Sequence, residues 1–253
     1  MTQVEYEETD KFGLKEDWRK VEKTLEEIIP VYDRTNRFIS LGTDLKIRNK
    51  GLSLLKGALE LKGKLSHFRI VDLGAGPGKM TQLLLSSGNH IDFDLSIMVD
   101  ALGPMMKVAT SRNEKSDGVL SVYEHLALRQ GTFDAAMAGF AIRDARDLHT
   151  ALSEVSRILT DGGLFLIVDL SKPDSSVKRA LVGFYWRAIS PVLAVFAAGR
   201  LGLKFGALST TYRRLPRKSD FLKLIAEAGL GVRVKEYLMV DGVCVILLEK
   251  SRR

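Results

Sequence analysis

The sequence predicts an α/β fold: a doubly wound, seven-stranded sheet, mostly parallel, ending in an antiparallel hairpin, with helices added in front of it and inserted within it. Three observations predict it. From Arg69 onward, short apolar runs alternate with helix-patterned segments, the signature of strands covered by helices on both faces. A glycine-rich turn, Gly74-Ala75-Gly76-Pro77-Gly78, joins the first run to the first helix of that alternation. Asp241-Gly242 separates two β-patterned runs near the C-terminus, a strong hairpin signal.

At 253 residues the chain is long enough for one large domain with a substantial core. It divides into a helical cover (1–65), a core (66–173), a helical lid or insertion (174–217) and a final helix with the hairpin (218–253). The hydrophobic fraction is 45% and no run is read as long enough to span a bilayer, so a soluble protein is expected. The acidic N-terminus lacks the apolar core of a secretory signal. Cys244 is the only cysteine, which excludes an intrachain disulfide and suits a reducing cytoplasm. The four histidines are scattered, and no Cys/His cluster has metal-ligand spacing. Net charge is +7, with basic residues thickening toward the C-terminus. Such a surface suits nucleic acid or an anionic membrane, but no aromatic-interleaved RNA-binding motif accompanies it.

Residues 1–15 read as a loose arm. Trp18, Val21, Leu25, Ile28 and Ile29 fall on one face of a helix over 16–29, which Pro30 is expected to end, leaving Val31 to Arg37 as a polar segment. Leu45, Leu52, Leu55 and Leu59 predict a helix over 44–61. Strands are expected at 69–73, 95–99, 119–122, 133–140 and 164–170. Helices are expected at 78–87, 104–111 and 144–159, the last stopped by Asp161-Gly162-Gly163. Residues 174–207 read as mostly helical, with two apolar runs and Arg187 and Arg200 bracketing the second. Ser219 is the expected N-cap of a helix ended by Gly229, before strands at 232–240 and 243–248.

A glycine turn after a first strand holds several cofactors, and two features narrow the choice. The turn lacks the Gly-Lys-Ser/Thr end of a P-loop. Asp100 closes the second strand roughly 20 residues on, where a carboxylate accepts hydrogen bonds from a ribose.

Together with the terminal hairpin, Val71-Asp72-Leu73-Gly74-Ala75-Gly76-Pro77-Gly78 resembles the class I S-adenosylmethionine-dependent methyltransferases, which have a Rossmann-like fold. The resemblance implies S-adenosyl-L-methionine as cofactor. Asp72 would take its ammonium, the loop at Gly74, Ala75, Gly76 and Gly78 its carboxylate, and Asp100 with Ala101 its ribose.

Further segments are similar to the ubiquinone/menaquinone biosynthesis C-methyltransferases. Tyr32-Asp33-Arg34-Thr35-Asn36 resembles their Tyr-Asp-x-x-Asn, and Gly131-Thr132-Phe133-Asp134 their Asn-Ser/Thr-Phe-Asp. Phe140-Ala141-Ile142-Arg143-Asp144 resembles Phe-Gly-x-Arg-Asn. Arg157 to Gly163 resembles Arg-Val-Leu-Lys-Pro-Gly-Gly, and Asp169-Leu170-Ser171-Lys172-Pro173 resembles Glu-Phe-Ser-Lys-Pro. Two departures stand out. Val122 replaces the acidic residue near the adenine, so backbone around Tyr123 and Glu124 is expected to serve there. Asp144 replaces an asparagine, which puts a carboxylate beside the acceptor pocket.

The family implies methyl transfer to a ring carbon of a prenylated quinol, a lipid-like acceptor. That chemistry needs a base at the ring hydroxyl and a group that stabilises the developing phenolate. The expected roles are Arg143 for the phenolate, Asp144 or an Arg143-held water as base, and Tyr32 orienting the ring or closing over the cofactor. If Arg143 is instead structural, Asp144 or Asp147 is its expected partner. Residues 174–207 would cover the tail and touch a membrane surface. Three other readings stay open: a different small-molecule or lipid acceptor, an RNA-modifying or RNA-binding protein, and a noncatalytic partner of a methyltransferase.

Overall fold

The computed structural model describes residues 14–63, 67–86 and 93–252. A seven-stranded sheet runs in the order β3-β2-β1-β4-β5-β7-β6. The strands are β1 Phe68–Leu73, β2 Phe93–Asp100, β3 Asp117–Leu120, β4 Phe133–Gly139, β5 Leu159–Leu170, β6 Leu230–Leu238 and β7 Val243–Lys250. The first five are parallel. β7 enters antiparallel beside β5 and pairs antiparallel with β6. Continuous apolar side chains in β4, β5 and β7 are buried on both faces, as a covered sheet requires.

One face packs under α2 (Asp44–Leu61) and α3 (Lys79–Ser86), with Leu52, Leu55 and Leu59 of α2 against Leu164, Leu166 and Val168 of β5. The other packs under α5 (Leu148–Ile158) and α9 (Lys218–Glu227), whose Leu152, Val155 and Ile225 meet Phe165, Ile167 and Ile246. α4 (Gly103–Arg112) follows β2. The chain turns from one side of β1 to the other between β3 and β4, so a crevice opens at the carboxyl ends of β1 and β4.

Several expectations are corrected. Pro30 does not end the first helix: α1 runs Leu14–Ile39 through it and takes in residues 31–37. The lost amide is offset by tertiary packing of Ile28 and Ile39 against Ala194 and Phe205. The proposed arm at 1–13 and the side chains of Trp18, Val21 and Leu25 lie outside the described residues. The helix expected from Asp144 starts later, at Leu148, because Asp147 caps it by accepting from the Thr150 amide (2.6 Å). Asp161 to Gly163 lie within β5, which begins at Leu159. β3 sits two residues earlier than expected. Ser219 is inside α9, where its amide and hydroxyl donate to Asp174 Oδ1 (3.2 and 2.9 Å), so Asp174 caps from outside.

The insertion is mostly helical, as expected, but its continuous length is not. α6 (Ser176–Phe184), a π turn (Tyr185–Ile189) and α7 (Ser190–Ala198) run on into a 3-10 segment, Gly199–Gly206, ahead of α8 (Ala207–Arg214). Ser176–Phe205 is thereby one helical stretch long and apolar enough, by length and composition, to cross a membrane. Pro191 does not break it, because it falls in the first turn of α7, where its missing amide costs little. The β6–β7 connection is Met239-Val240-Asp241-Gly242, with positive φ at the first three residues.

Candidate active site

The carboxyl ends of β1, β2, β4 and β5 bring four acidic side chains to one edge: Asp72, Asp100, Asp144 and Asp169. Asp72 ends β1 and is buried. The amide and hydroxyl of Thr81, one turn into α3, donate to its Oδ2 (3.1 and 2.8 Å). Its Oδ1 has no hydrogen-bond partner among the described residues. Burial raises the Asp72 carboxyl to about 6, against the Thr81 bonds and the nearby Arg48 charge.

The glycine turn is shaped by close contacts. Gly74 has φ 63°, and a Cβ there would lie 2.5 Å from Ala141 Cβ and 2.8 Å from the Tyr123 hydroxyl. That hydroxyl donates to the Leu73 carbonyl (2.6 Å), tying the 122–125 turn to the end of β1. Burial, then Asp169 and Asp72, push the Tyr123 phenol well above its ordinary range, so it acts as a donor. At Gly76, with φ 54°, a Cβ would meet only open space. The Ala75 amide donates to Val99 O (2.9 Å), and Gly78 closes on Asn113, whose Nδ2 donates to Gly78 O (3.1 Å). Asp100 accepts from the amides of Gly76 (2.7 Å) and Leu102 (2.9 Å), with the Ala101 amide also turned to it. Burial nevertheless holds its carboxyl above the usual range.

Phe140, with φ 58°, leaves β4 and leads into a single 3-10 turn, Ile142–Asp144. Arg143 folds back onto β5: its amide donates to Asp169 Oδ2 (3.1 Å) and its Nη1 to Asp169 Oδ1 (2.7 Å). Its principal partner is therefore Asp169, not Asp144 or Asp147. Asp144 stands 3.8 Å from its Nε, which has no hydrogen-bond partner. The Arg143 side chain is only 7% exposed. Burial works against its charge, but Asp144 and Asp169 outweigh it and keep the guanidinium firmly protonated. Asp144 is 51% exposed. Burial by the surrounding protein still pushes its carboxyl up to about 6, with Arg143 opposing and Asp169 adding. Solvent on its open side tempers that shift.

α1 supplies Tyr32 to the same edge, half-buried against Phe205, with Asn36 beside its hydroxyl and Arg143 and Arg48 near enough to feel its charge. Burial raises its phenol above the ordinary value. Glu124 is turned elsewhere: its Oε1 accepts from the amides of Arg146 (2.5 Å) and Asp147 (3.1 Å).

Three residues of this edge were not singled out from the sequence, Arg48, Thr81 and Asn113, and Asp169 entered only within the Asp169–Pro173 segment, with no role assigned. Arg48 is buried, donates from Nη1 to Gly139 O (3.2 Å) and lies 4.9 Å from the Phe140 ring centre. Its signal was a charge inside the apolar stripe of α2, between Leu45 and Leu52. Thr81 is the polar member of the buried face Met80, Thr81, Leu84.

The donor set fits a ligand with a cationic end and a sugar-like end. The unpartnered Asp72 Oδ1 suits an ammonium, the open face of Gly76 admits close backbone approach, and Asp100 keeps acceptor capacity for hydroxyls.

Comparison with known proteins bears on that fit. Residues 12–249 match the model of the ubiE/COQ5 methyltransferase family. A demethylmenaquinone methyltransferase of Thermus thermophilus is 28% identical over 224 residues, 87% of this chain and 96% of that protein. A ubiquinone/menaquinone biosynthesis C-methyltransferase of Bartonella tribocorum is 26% identical over 217 residues, 83% of this chain and 80% of that protein. Among solved structures, a methyltransferase from Thermotoga maritima aligns with a TM-score of 0.61 at 17% identity, covering 91% of this chain and 99% of that one. The CurJ carbon methyltransferase aligns with a TM-score of 0.59 at 14% identity, covering 92% of this chain and 71% of that one. At such identities the structural likeness speaks for the fold.

Proposed function

The chain belongs to the ubiE/COQ5 methyltransferase family, and from that premise we propose that it methylates a ring carbon of a prenylated quinol in menaquinone- or ubiquinone-type biosynthesis. It is an S-adenosylmethionine-dependent methyltransferase. The observation that carries the acceptor reading is the Arg143–Asp144–Asp169 group beside Tyr32: a buried cation fixed by one carboxylate, a second carboxylate open to solvent, and an aromatic, on the edge where the cofactor loop ends.

The cofactor, when bound, supplies an electrophilic methyl group. Asp72 would hold its ammonium, Asp100 with the Ala101 backbone its ribose, and the turn around Tyr123 its adenine side. Glu124 supports that turn from behind through the Arg146 and Asp147 amides. Arg48 offsets part of the charge of Asp72 through its nearby guanidinium.

Carbon attacks a methyl group only when the ring is electron-rich, so the neighbouring hydroxyl must lose its proton. Asp144 takes it: a carboxylate with a raised pKa is a better base than an ordinary one and remains ionised at neutral pH. The Nε of Arg143 then faces developing phenolate charge, its guanidinium fixed by Asp169 before the reaction begins. Tyr32 orients the ring. Once the carbon–methyl bond forms, the ring oxygen becomes a carbonyl; the methylated carbon then gives its own proton to solvent, and the oxygen takes back the proton held by Asp144, which restores the ring and the base. Much of the remaining rate comes from holding carbon against methyl. On this reading the enzyme works in the cytoplasm, in peripheral contact with a membrane, as a lipid-like acceptor would require.

The test is transfer of labelled methyl from S-adenosylmethionine to demethylmenaquinol and to demethoxy-type benzoquinols. Product with one of them is expected. Cofactor binding with no transfer to any quinol overturns the reading.

A further inference from the structure

The helical stretch over α6 and α7 is amphipathic in an inverted sense. Val182, Ser190, Ala194 and Ala197 are buried on the protein side. Val177, Leu181, Phe184, Val192 and Phe196 are exposed, Phe196 to 78%, and recur at helical spacing along the outer side. A soluble protein seldom leaves so long an apolar stripe open.

Two strained turns extend it. Phe38 and Leu41 project from the α1–α2 turn, and Met239 and Val240 from the β6–β7 turn, all exposed. Leu41, Met239 and Val240 have positive φ (52°, 52° and 58°), which is costly for such residues and most of all for β-branched Val240. Backbone strain that presents apolar side chains to water has no stabilising purpose in the isolated fold.

These elements touch one another in a closed triangle. The Tyr185 hydroxyl donates to Ile39 O (2.6 Å), joining α6–α7 to the α1–α2 turn. The Lys178 ammonium pairs with Asp241 (3.0 Å), joining α6 to the β6–β7 turn. Thr43 Oγ1 lies 3.8 Å from Met239 Sδ, joining the two turns. β5 ends at Leu170 where β7 begins at Val243, so the β6–β7 turn lies on the same carboxyl edge as Asp72, Arg143 and Asp169.

Charge says what covers this face. Residues 175–219 contain nine lysines and arginines and no acidic residue, in a chain whose whole net charge is +7. Arg187 and Arg200 are exposed and make no ion pair among the described residues. Apolar side chains flanked by unpaired cations match the acyl and phosphate layers of a lipid surface.

We propose that the α6–α7 stripe with the tips of the α1–α2 and β6–β7 turns is a docking surface for an anionic bilayer, on which the protein lies with the mouth of its site at the lipid boundary. The helix lies on the membrane and does not cross it. Its inner side holds α1 through Ala194 against Ile28 and Ile39, and crossing would strip that packing. The inference deepens the reading of a lipid-like acceptor, but its evidence and its measurement need no methyl transfer, so the two fail separately.

The full chain is mixed with vesicles of phosphatidylcholine alone or containing phosphatidylglycerol, and binding is read by co-sedimentation. Anionic vesicles are expected to bind at least about tenfold more tightly than neutral ones, with the difference shrinking as salt rises. The pair Leu181→Glu, Phe184→Glu should lower that binding at least about tenfold while leaving the melting temperature and transfer to a tailless quinol unchanged. The pair Arg187→Glu, Arg200→Glu should lower binding to anionic vesicles only. Three results overturn the proposal: no binding of the unmodified chain to either vesicle, equal binding by the Leu181/Phe184 variant, or a stable dimer by light scattering that this variant splits.

Discussion

Arg143 Nη1 donates to Asp169 Oδ1 at 2.7 Å while its Nε, 3.8 Å from Asp144, keeps no hydrogen-bond partner. One side of the guanidinium is anchored, and the other is buried with its donor unused. Replacing Arg143 by Ala should lower the rate of methyl transfer by about 100-fold or more, since one preorganised donor at developing charge is worth that much. Cofactor affinity by titration calorimetry should change by less than about threefold, because no expected cofactor contact is lost. Equal losses in rate and affinity would remove the catalytic role. The variant also leaves Asp169 buried without its cation, so a melting-temperature loss should accompany it, and Arg143→Lys should restore stability better than rate.

Asp144 should set the acidic limb of the rate profile. Its carboxylate form is the base, and burial raises its carboxyl above the ordinary value, by less than full burial would, so turnover should be full at neutral pH and fall as pH drops through that raised value. Asp144→Asn should cut turnover by about 100-fold or more and abolish that limb. A profile unchanged by the substitution would assign the base elsewhere.

Asp72 should govern cofactor affinity with a similar midpoint but a different readout. Its folded-state pKa is raised, so burial favours the neutral form: the stability this contributes is complete below the ordinary carboxylate pKa and is lost as pH rises through about 6. An arriving ammonium needs the ionised form. Cofactor affinity should therefore weaken as pH falls below about 6, and binding near that pH should release a proton, seen as a dependence of calorimetric enthalpy on buffer. Asp72→Asn should abolish both effects while leaving the ligand-free protein at least as stable at pH 7.5 by thermal melting.

Gly74→Ala tests the turn itself. The new methyl would meet Ala141 Cβ at 2.5 Å in a backbone conformation with φ 63°. Overpacking and left-handed strain together should cost about 2–4 kcal/mol, measured by urea denaturation. A variant within about 0.5 kcal/mol of the parent would mean that the turn relaxes freely.

The sheet and the cofactor loop were legible because their signals are local. Continuous apolar runs in β5 and β7, glycines alternating at 74, 76 and 78, and Asp241-Gly242 each obey short-range rules that tertiary packing did not override. What was misread depends on partners distant in sequence. Pro30 stays helical because Ile28 and Ile39 find Ala194 and Phe205 more than 150 residues on. Arg143 finds Asp169 only when β4 and β5 align side by side, which puts Gly139 opposite Val168. The bilayer-length stretch in the insertion was missed because a π turn at Tyr185–Ile189, invisible in residue patterns, carries the helix across Arg187.

The small cluster that seats α1 on α7 has a kinetic consequence. Its buried members among the described residues are Ile28, Ile39, Ala194 and Phe205. A surface helix seated on such a satellite cluster opens at lower free energy than the sheet, which is covered on both faces. Backbone amides of α1 and α7, distant in sequence, should therefore exchange with solvent hydrogen together, ahead of β4 and β5. Tyr32 travels with α1, so each such opening uncovers the acceptor side of the site while Asp72 and Asp100 stay in place on the sheet. Acceptor and cofactor would then enter on separate clocks, one set by the cover and the other by the glycine turn.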